Sequence, residues 1–380
     1  MNKIYLDNAA STRVREEVIE KMQKSLSDFY GNPSSTHSFG RSAKTLIEKA
    51  RKNIASCLNA LPSEIIFTSG GTEANNMILR SAVRDLDVQT IITSKIEHHA
   101  VLHTIDQLQK EYDINIQYVS LTDNGTPDYV DLELKLKNDD TKKLVSLMHV
   151  NNEIGNITNL DAIVDLCKSH NALFHSDTVQ SIGHFEWDVK KIKVDFLSAS
   201  AHKFHGPKGI GFVYLNKNIA LQPLIFGGEQ ERGFRAGTES LHNIIGLETA
   251  MLLSYKNMDD EKSYIMELKR YFIEQLKLHL PGTKFNGCSS DTGKSTYTIV
   301  NTCLPISEDK GELLLFQLDI KGIACSRGSA CQSGSTITSH VLTELLSEAD
   351  IKKPSIRFSF SKYNTKEELD YVVNVLKAFV

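Results

Sequence analysis

The feature that most restricts the fold of this chain is a series of short apolar runs, each ending in a polar, glycine-rich or histidine-containing turn. They are "SEIIFTSGG" (63–71), "TIITSKIEHHA" (90–100), "LVSLMHVNNEIG" (144–155), "ALFHSDTVQS" (172–181) and "VDFLSASAHKFHG" (194–206). Continuous apolar runs of this length read as strands covered on both faces. Between them lie segments of helical period. From Glu73 onward, Ala74, Met77, Ile78 and Val83 fall near one face, and in "LDAIVDLCKSH" Leu160, Ile163, Val164 and Cys167 do the same. Strands alternating with helices predict an α/β fold on a largely parallel sheet, where chemistry collects at the carboxyl ends of the strands.

Beyond Asn257 the pattern changes. "DDEKSYIMELKRYFIEQLKLHL" predicts a long amphipathic helix, "STYTIVNTCL" a strand, "GELLLFQLDIKG" a helix, "SIRFSFS" a strand and "TKEELDYVVNVLKAFV" a closing helix. The expected organisation is a large α/β domain over 15–256 and a smaller α+β domain made of 1–14 and 257–380, which carries a cysteine loop at about 323–336. A chain of 380 residues can bury one large core or two moderate ones. No repeat or low-complexity linker separates the parts, so they are expected to share an interface.

Charge and cysteine usage narrow the function. A formal net charge of −4 gives no electrostatic footprint for nucleic acid or an anionic membrane, so the expected partner is a small molecule or another protein. No apolar stretch approaches the roughly 20 residues of a membrane span. The opening "MNKIYLDNAASTRV" has neither the apolar core of a signal peptide nor an Arg-rich presequence, and a cytoplasmic location is expected. Six scattered cysteines, at 57, 167, 288, 303, 325 and 331, fit a reducing compartment better than a disulfide framework. In "ACSRGSACQSGS" (324–335) Cys325 and Cys331 stand six apart without the further ligands that zinc requires, so no metal site is expected.

Several side chains at the strand ends point to chemistry, each with an ordinary reading beside it. Lys203 follows an apolar run and lies between His202 and His205; it fits either a snorkelling surface lysine or a Schiff-base lysine, which needs a carbonyl cofactor. "FTSGGTEANN" reads as a strand, a Ser69–Thr72 turn and a helix, which is either a phosphate cradle or a helix capped by Thr72. Asp177 ends the run "HSD"; it is either an Asx-turn aspartate or the partner of a protonated pyridine nitrogen. His98 fits a ring stacked on a cofactor or a satisfied core histidine, and Asn151 and Asn152 fit loop amides. Their joint placement at strand ends favours a pyridoxal phosphate site.

The motifs "YLDNAAST", "GNPSSTH", "FTSGGTEANN", "EHHAVL", "HVNNEIG", "DTVQS", "SASAHKFHGPKGIGF", "ERGFRAGT", "CSRGSACQSG" and "IRFSF" run in this order from residue 5 to about 360. Together they resemble the NifS/IscS-type, group I cysteine desulfurases, fold type I pyridoxal-phosphate enzymes of the class V aminotransferase family. The resemblance implies a large domain with a mostly parallel seven-stranded sheet between helices, a homodimer, and conversion of L-cysteine to L-alanine. It implies Lys203 as the Schiff-base lysine, Asp177 as partner of the ring nitrogen, Gln180 as donor to the ring oxygen and His98 as the stacking, catalytic histidine. Gly71, Thr72, Ser200 and His202 would hold the phosphate, with Thr238 reaching it from the other subunit. Asn152 and Arg357 would hold the substrate carboxylate, and Asn152 would also border the cofactor.

Cys331 would be the nucleophile that takes sulfur as a persulfide, touching an iron–sulfur cluster only in complex with a scaffold. Cys325 stands where the family varies, and is expected to be a small packing residue rather than a resolving thiol. Longer members carry a further tail associated with docking the scaffold, whereas this chain ends at Val380. Both an iron–sulfur scaffold and a tRNA-thiolation enzyme are therefore open as the sulfur acceptor. The rival readings are a selenocysteine lyase or other pyridoxal-phosphate β-lyase, and a non-catalytic sulfur carrier.

Overall fold

The apolar runs form the middle of one seven-stranded sheet in the computed structural model, which describes residues 3–327 and 339–379. Counting strands from the short β1 (Ile4–Tyr5), the sheet contains β2 (Ile65–Thr68), β3 (Thr90–Thr93), β4 (Asn115–Tyr118), β5 (Lys143–Ser146), β6 (Leu173–Asp177), β7 (Phe196–Ser200) and β8 (Gly211–Leu215). Their spatial order is β2-β8-β7-β6-β5-β3-β4. β3, β4, β5, β6 and β7 pair in parallel, while β8 runs antiparallel to both β7 and β2.

Successive residues of each strand enter opposite cores, which is why these runs are apolar without alternation. Phe67, Ile92, Val145, Leu197 and Phe212 face one core, whereas Ile66, Ile91, Leu144, Phe196 and Val213 face the other. The first core is covered by α1 (Glu16–Asp28), α2 (Ser38–Cys57), α6 (Leu160–Ser169) and α7 (Leu241–Lys256), with Val18, Ile47, Ile163 and Leu247 buried in it. The second is covered by α3 (Gly71–Leu86) and α4 (His99–Glu111), through Ala74, Met77, Ile78, Val83, Val101 and Ile105. The remaining early helix, α5 (Tyr129–Lys137), adds Leu132 and Leu136 to the first core.

A third core gathers Ile4 and Leu6 with later residues. It contains Leu268, Phe272 and Leu276 of α8 (Met258–His279), Val300 of β10 (Ile299–Cys303), Phe358 of β12 (Ser355–Ser359) and Leu369, Val372 and Leu376 of the closing helix Lys366–Lys377. Here β12, β10 and β9 (Lys284–Phe285) form an antiparallel sheet, and β1 pairs in parallel with β11 (Ile323–Ala324).

Two expected elements differ in detail. The strand expected over 295–304 joins the β10 ladder only from Ile299; before it Ser295 bridges Asn156, the Thr296 N–H donates to Gly155 O at 2.8 Å, and Lys269 donates to the Ser295 hydroxyl and the Thr296 carbonyl, each at 2.7 Å. The helix drawn over 311–322 is split into Glu308–Glu312 and Leu314–Ile320. Gly311, a weak helix former, packs so tightly there that a Cβ would stand 3.0 Å from the Pro354 ring. No helix among the described residues is long and apolar enough to cross a membrane.

Candidate active site

The carboxyl ends of the parallel strands converge on a cavity of about 280 Å³. Its first wall is the turn from β2 into α3. The expectation that Thr72 caps this helix is corrected: Gly70 is the N-cap, α3 begins at Gly71, and Thr72 lies in the first turn. The reason is steric. Gly70 has φ of 152°, which a residue bearing a Cβ rarely adopts. At Gly71 a Cβ would stand 2.6 Å from the Val179 Cγ2, so the glycine leaves room beside the free N–H groups of the helix start. Ser200 and His202 also line the cavity, and His202 Nδ1 is buried without a hydrogen-bond partner among the described residues. Burial and the nearby Lys203 and Lys208 bring the His202 pKa down to about 4, so its ring is neutral.

Asp177 ends β6 and is 6% exposed. Its Oδ1 accepts the Val179 N–H at 3.0 Å, an Asx-turn, while Oδ2 accepts Nδ2 of Asn75 at 2.7 Å. The ordinary reading and a place in the cavity wall therefore hold together for this residue. Across the cavity His98 is the N-cap of α4, and its Nδ1 accepts the Ala100 N–H at 3.0 Å. That bond leaves the ring proton on Nε2. Burial, together with Lys203, His340 and His103, holds the His98 pKa below its usual value against the opposing pull of Asp177.

Lys203 closes a short 3₁₀ turn, Ala201–Lys203, directly after β7. Its Nζ donates to the carbonyls of Ala9 at 2.6 Å and Ala10 at 3.0 Å, and Gln180 Nε2 also donates to Ala9 O at 2.9 Å. Arg357, on β12, is 1% exposed. One terminal nitrogen donates to the Asn152 carbonyl at 2.8 Å, the other pairs with Asp7 at 3.0 Å, and Nε is buried without a partner among the described residues. A buried guanidinium fixed in this way suits a planar anion.

Gly71, Thr72, His98, Asn152, Asp177, Gln180, Ser200, His202, Lys203 and Arg357 thus all line one cavity. Thr238 does not: it is exposed, on the segment after the 3₁₀ turn Gln230–Gly233. Cys331 lies outside the described residues. Cys325 is half-buried and packs against the third core; burial and the Asp7 carboxylate push its thiol up to about 12. Where the described chain resumes, Ser339 bonds to Glu153 through its hydroxyl and His340 Nε2 donates to Glu97 O at 2.9 Å.

Four contributors were not anticipated from sequence. Asn75 lies one turn beyond Gly71, so its position in "TEANN" was a usable signal. Asp7 was visible only as part of "YLDNAAST". The Ala9 and Ala10 carbonyls had no side-chain signature at all.

The family model described as Aminotransferase class-V matches residues 4–372. The chain is 41% identical over 380 residues to a protein named cysteine desulfurase IscS from Dictyoglomus turgidum, covering 100% of this chain and 94% of that one. A solved structure described as a NifS-like protein has a TM-score of 0.90 at 35% identity and covers 99% of both chains. Another, described as SspA in complex with cysteine, has a TM-score of 0.81 at 32% identity, covering 96% of this chain and 100% of the other.

Proposed function

The chain belongs to the class-V aminotransferase family, and from that premise we propose that it is a cysteine desulfurase. It converts L-cysteine to L-alanine and hands the sulfur, as a persulfide on Cys331, to an acceptor protein for iron–sulfur cluster assembly or tRNA thiolation. The observation that carries this reading is the single cavity in which Lys203, Asp177 and the helix start at Gly71 stand with the buried Arg357.

Pyridoxal phosphate fits these residues. An anion suits the helix start beside Gly71, where a Cβ would collide, and His202 Nδ1, which has no partner among the described residues. A protonated ring nitrogen suits Asp177, whose carboxylate has neutral donors in Asn75 and Val179. When bound, this group supplies a carbonyl for the Lys203 amine and an electron-withdrawing ring for charge developing at the substrate Cα.

The chain's own residues do the rest. Gly71, Thr72, Ser200 and His202 would hold the phosphate, Gln180 would donate to the ring oxygen, and His98 would pack against the ring. Arg357 and Asn152 hold the substrate carboxylate, which orients the Cα–H bond toward Lys203. Lys203 removes that proton as a general base. The Cys331 thiolate then attacks the substrate sulfur: an S–S bond forms, the Cβ–S bond breaks, the electron pair left on Cβ takes a proton from solvent to become the methyl, and Lys203 returns its proton to Cα to give alanine.

A homodimer completes the site through Thr238. Its exposure, with that of Ile225 at 40% and Phe226 at 76% on the same segment, supports a second copy seated there. The separate third core supports treating 1–14 and 257–380 as a smaller domain, and the reading places the enzyme in the cytoplasm. Two variants test it. Lys203→Ala should abolish the near-visible absorbance band of the bound cofactor, and Cys331→Ala should keep that band while forming no alanine. Undiminished sulfide release by Cys331→Ala would assign the chain to the β-lyases instead.

A further inference from the structure

Residues 7–12, "DNAAST", bring backbone to the amine of Lys203. The two carbonyls that receive the amine, those of Ala9 and Ala10, are held from both sides. On one side is Thr12, which is 5% exposed. Its N–H and its hydroxyl both donate to the His202 carbonyl, at 2.8 and 2.9 Å, and the same hydroxyl accepts the His205 N–H at 2.7 Å. One threonine therefore brackets the lysine turn, from the residue before Lys203 to the second residue after it. The grip falls where the turn is least relaxed, since His205 has φ of 68°, uncommon for a residue other than glycine. On the other side, the Ala9 N–H donates to Oγ of Ser359 at 2.8 Å, two residues along β12 from Arg357.

Building on the functional reading above, we infer that the Ala9–Ala10 carbonyl pair is the resting place of the Lys203 amine whenever it is not bonded to the cofactor. Thr12 is then a positioning residue that sets where the amine waits. Carbonyl oxygens only accept, so both contacts are donated by the amine, and such bonds are about twice as strong from a charged donor as from a neutral one. When Lys203 takes the Cα proton, the C–H pair stays with the substrate and an N–H bond forms on Nζ. The carbonyl pair holds the resulting ammonium at a fixed place until the proton is returned.

The test is competitive acetylation of the full-length protein with trace acetic anhydride, read at the Lys203 peptide by mass spectrometry, before and after removal of pyridoxal phosphate. The cofactor should protect Lys203, and absence of protection would overturn the functional reading rather than this one. In the stripped protein at pH 8, Lys203 should label several-fold more slowly than exposed lysines. Thr12→Val should label about tenfold faster, equivalent to about 1.4 kcal/mol, and Thr12→Ser should restore the slow rate. The same Val variant should lower kcat for L-cysteine with little change in KM. Wild-type labelling in Thr12→Val, or no recovery in Thr12→Ser, overturns the inference. If Thr12→Val is not recovered folded, Ser359→Ala, which releases Ala9 from the other side, carries the same expectation, and an unchanged rate there is equally decisive.

Discussion

Asn75 early in α3 and Asp177 at the end of β6 are 102 positions apart in sequence and joined by a 2.7 Å hydrogen bond from Nδ2 to Oδ2. The amide orients the carboxylate without neutralising it, which keeps the negative charge available to a cation in the cavity. Asn75→Ala should therefore weaken pyridoxal phosphate binding by about 10- to 100-fold, in line with the roughly 1.5–3 kcal/mol of a hydrogen bond to a charged group. Asp177→Asn should weaken it further. Fluorescence titration of the stripped protein with the cofactor measures both, and equal affinity in Asn75→Ala and wild type would show that the contact orients nothing.

Gly71 is predicted to be needed for space. Its substitution by Ala puts a methyl 2.6 Å from Val179 Cγ2, closer than carbon atoms approach. Gly71→Ala should lower cofactor affinity at least tenfold, and the pair Gly71→Ala with Val179→Ala should recover part of it. No recovery would mean that the methyl obstructs the phosphate rather than Val179.

Arg357→Lys keeps a positive charge but loses the planar fork. The KM for L-cysteine should rise about 10- to 100-fold, the range expected for losing one charge-assisted bond, with a smaller change in kcat. Initial-rate kinetics of alanine formation separate the two parameters. A fall confined to kcat would move Arg357 out of substrate binding.

The two cysteines of "ACSRGSAC" should part company under alkylation. With its thiol pushed up to about 12, Cys325 is ionised at pH 8 to only about one part in 10⁴, so iodoacetamide should reach it slowly. Cys325→Ser should keep most alanine formation and Cys331→Ser should lose it. Comparable loss in both variants would make Cys325 a participating thiol.

Stability should fall on mild acidification. Burial holds His175 and His205 at pKa values of about 4, below the usual value of 6.5, with Asp177 opposing the shift at His175. Between pH 6.5 and about 4 the unfolded chain binds protons at these sites that the folded chain refuses. Stability is therefore fully present above the unfolded value and is lost as pH falls through this window, by up to about 1.4 kcal/mol per pH unit for each group. Urea unfolding at pH 7, 6 and 5 measures the slope, and His175→Gln should reduce it. An unchanged slope in that variant would mean that His175 titrates alike in both states.

The sheet and its reactive edge were legible in the sequence because both are local properties. A run such as "IIFT" buries Ile66 in one core and Phe67 in the other, and that two-sided burial is written directly as unbroken apolarity. The strands then end where polar side chains begin, so Asp177 and Lys203 mark the edge in the sequence itself. The cap of α3 was legible only in part. Thr72 has the right chemistry for an N-cap, but the turn needs φ of 152°, and the backbone requirement at Gly70 outweighed the side-chain preference at Thr72.

What the tertiary structure alone decided is who meets whom. Asn75 reaches Asp177, Asp7 reaches Arg357 across the paired ends of the chain, and Ala9 and Ala10 receive the amine of Lys203 from 194 and 193 positions away. Residue type and spacing carry no trace of these pairings, because long-range approach is set by how the sheet, the third core and the chain's first strand pack together. The carbonyls are the limiting case. Every residue has one, so the sequence by itself determined that a lysine would stand at the strand edge, and only the fold determined which backbone oxygens would hold its amine.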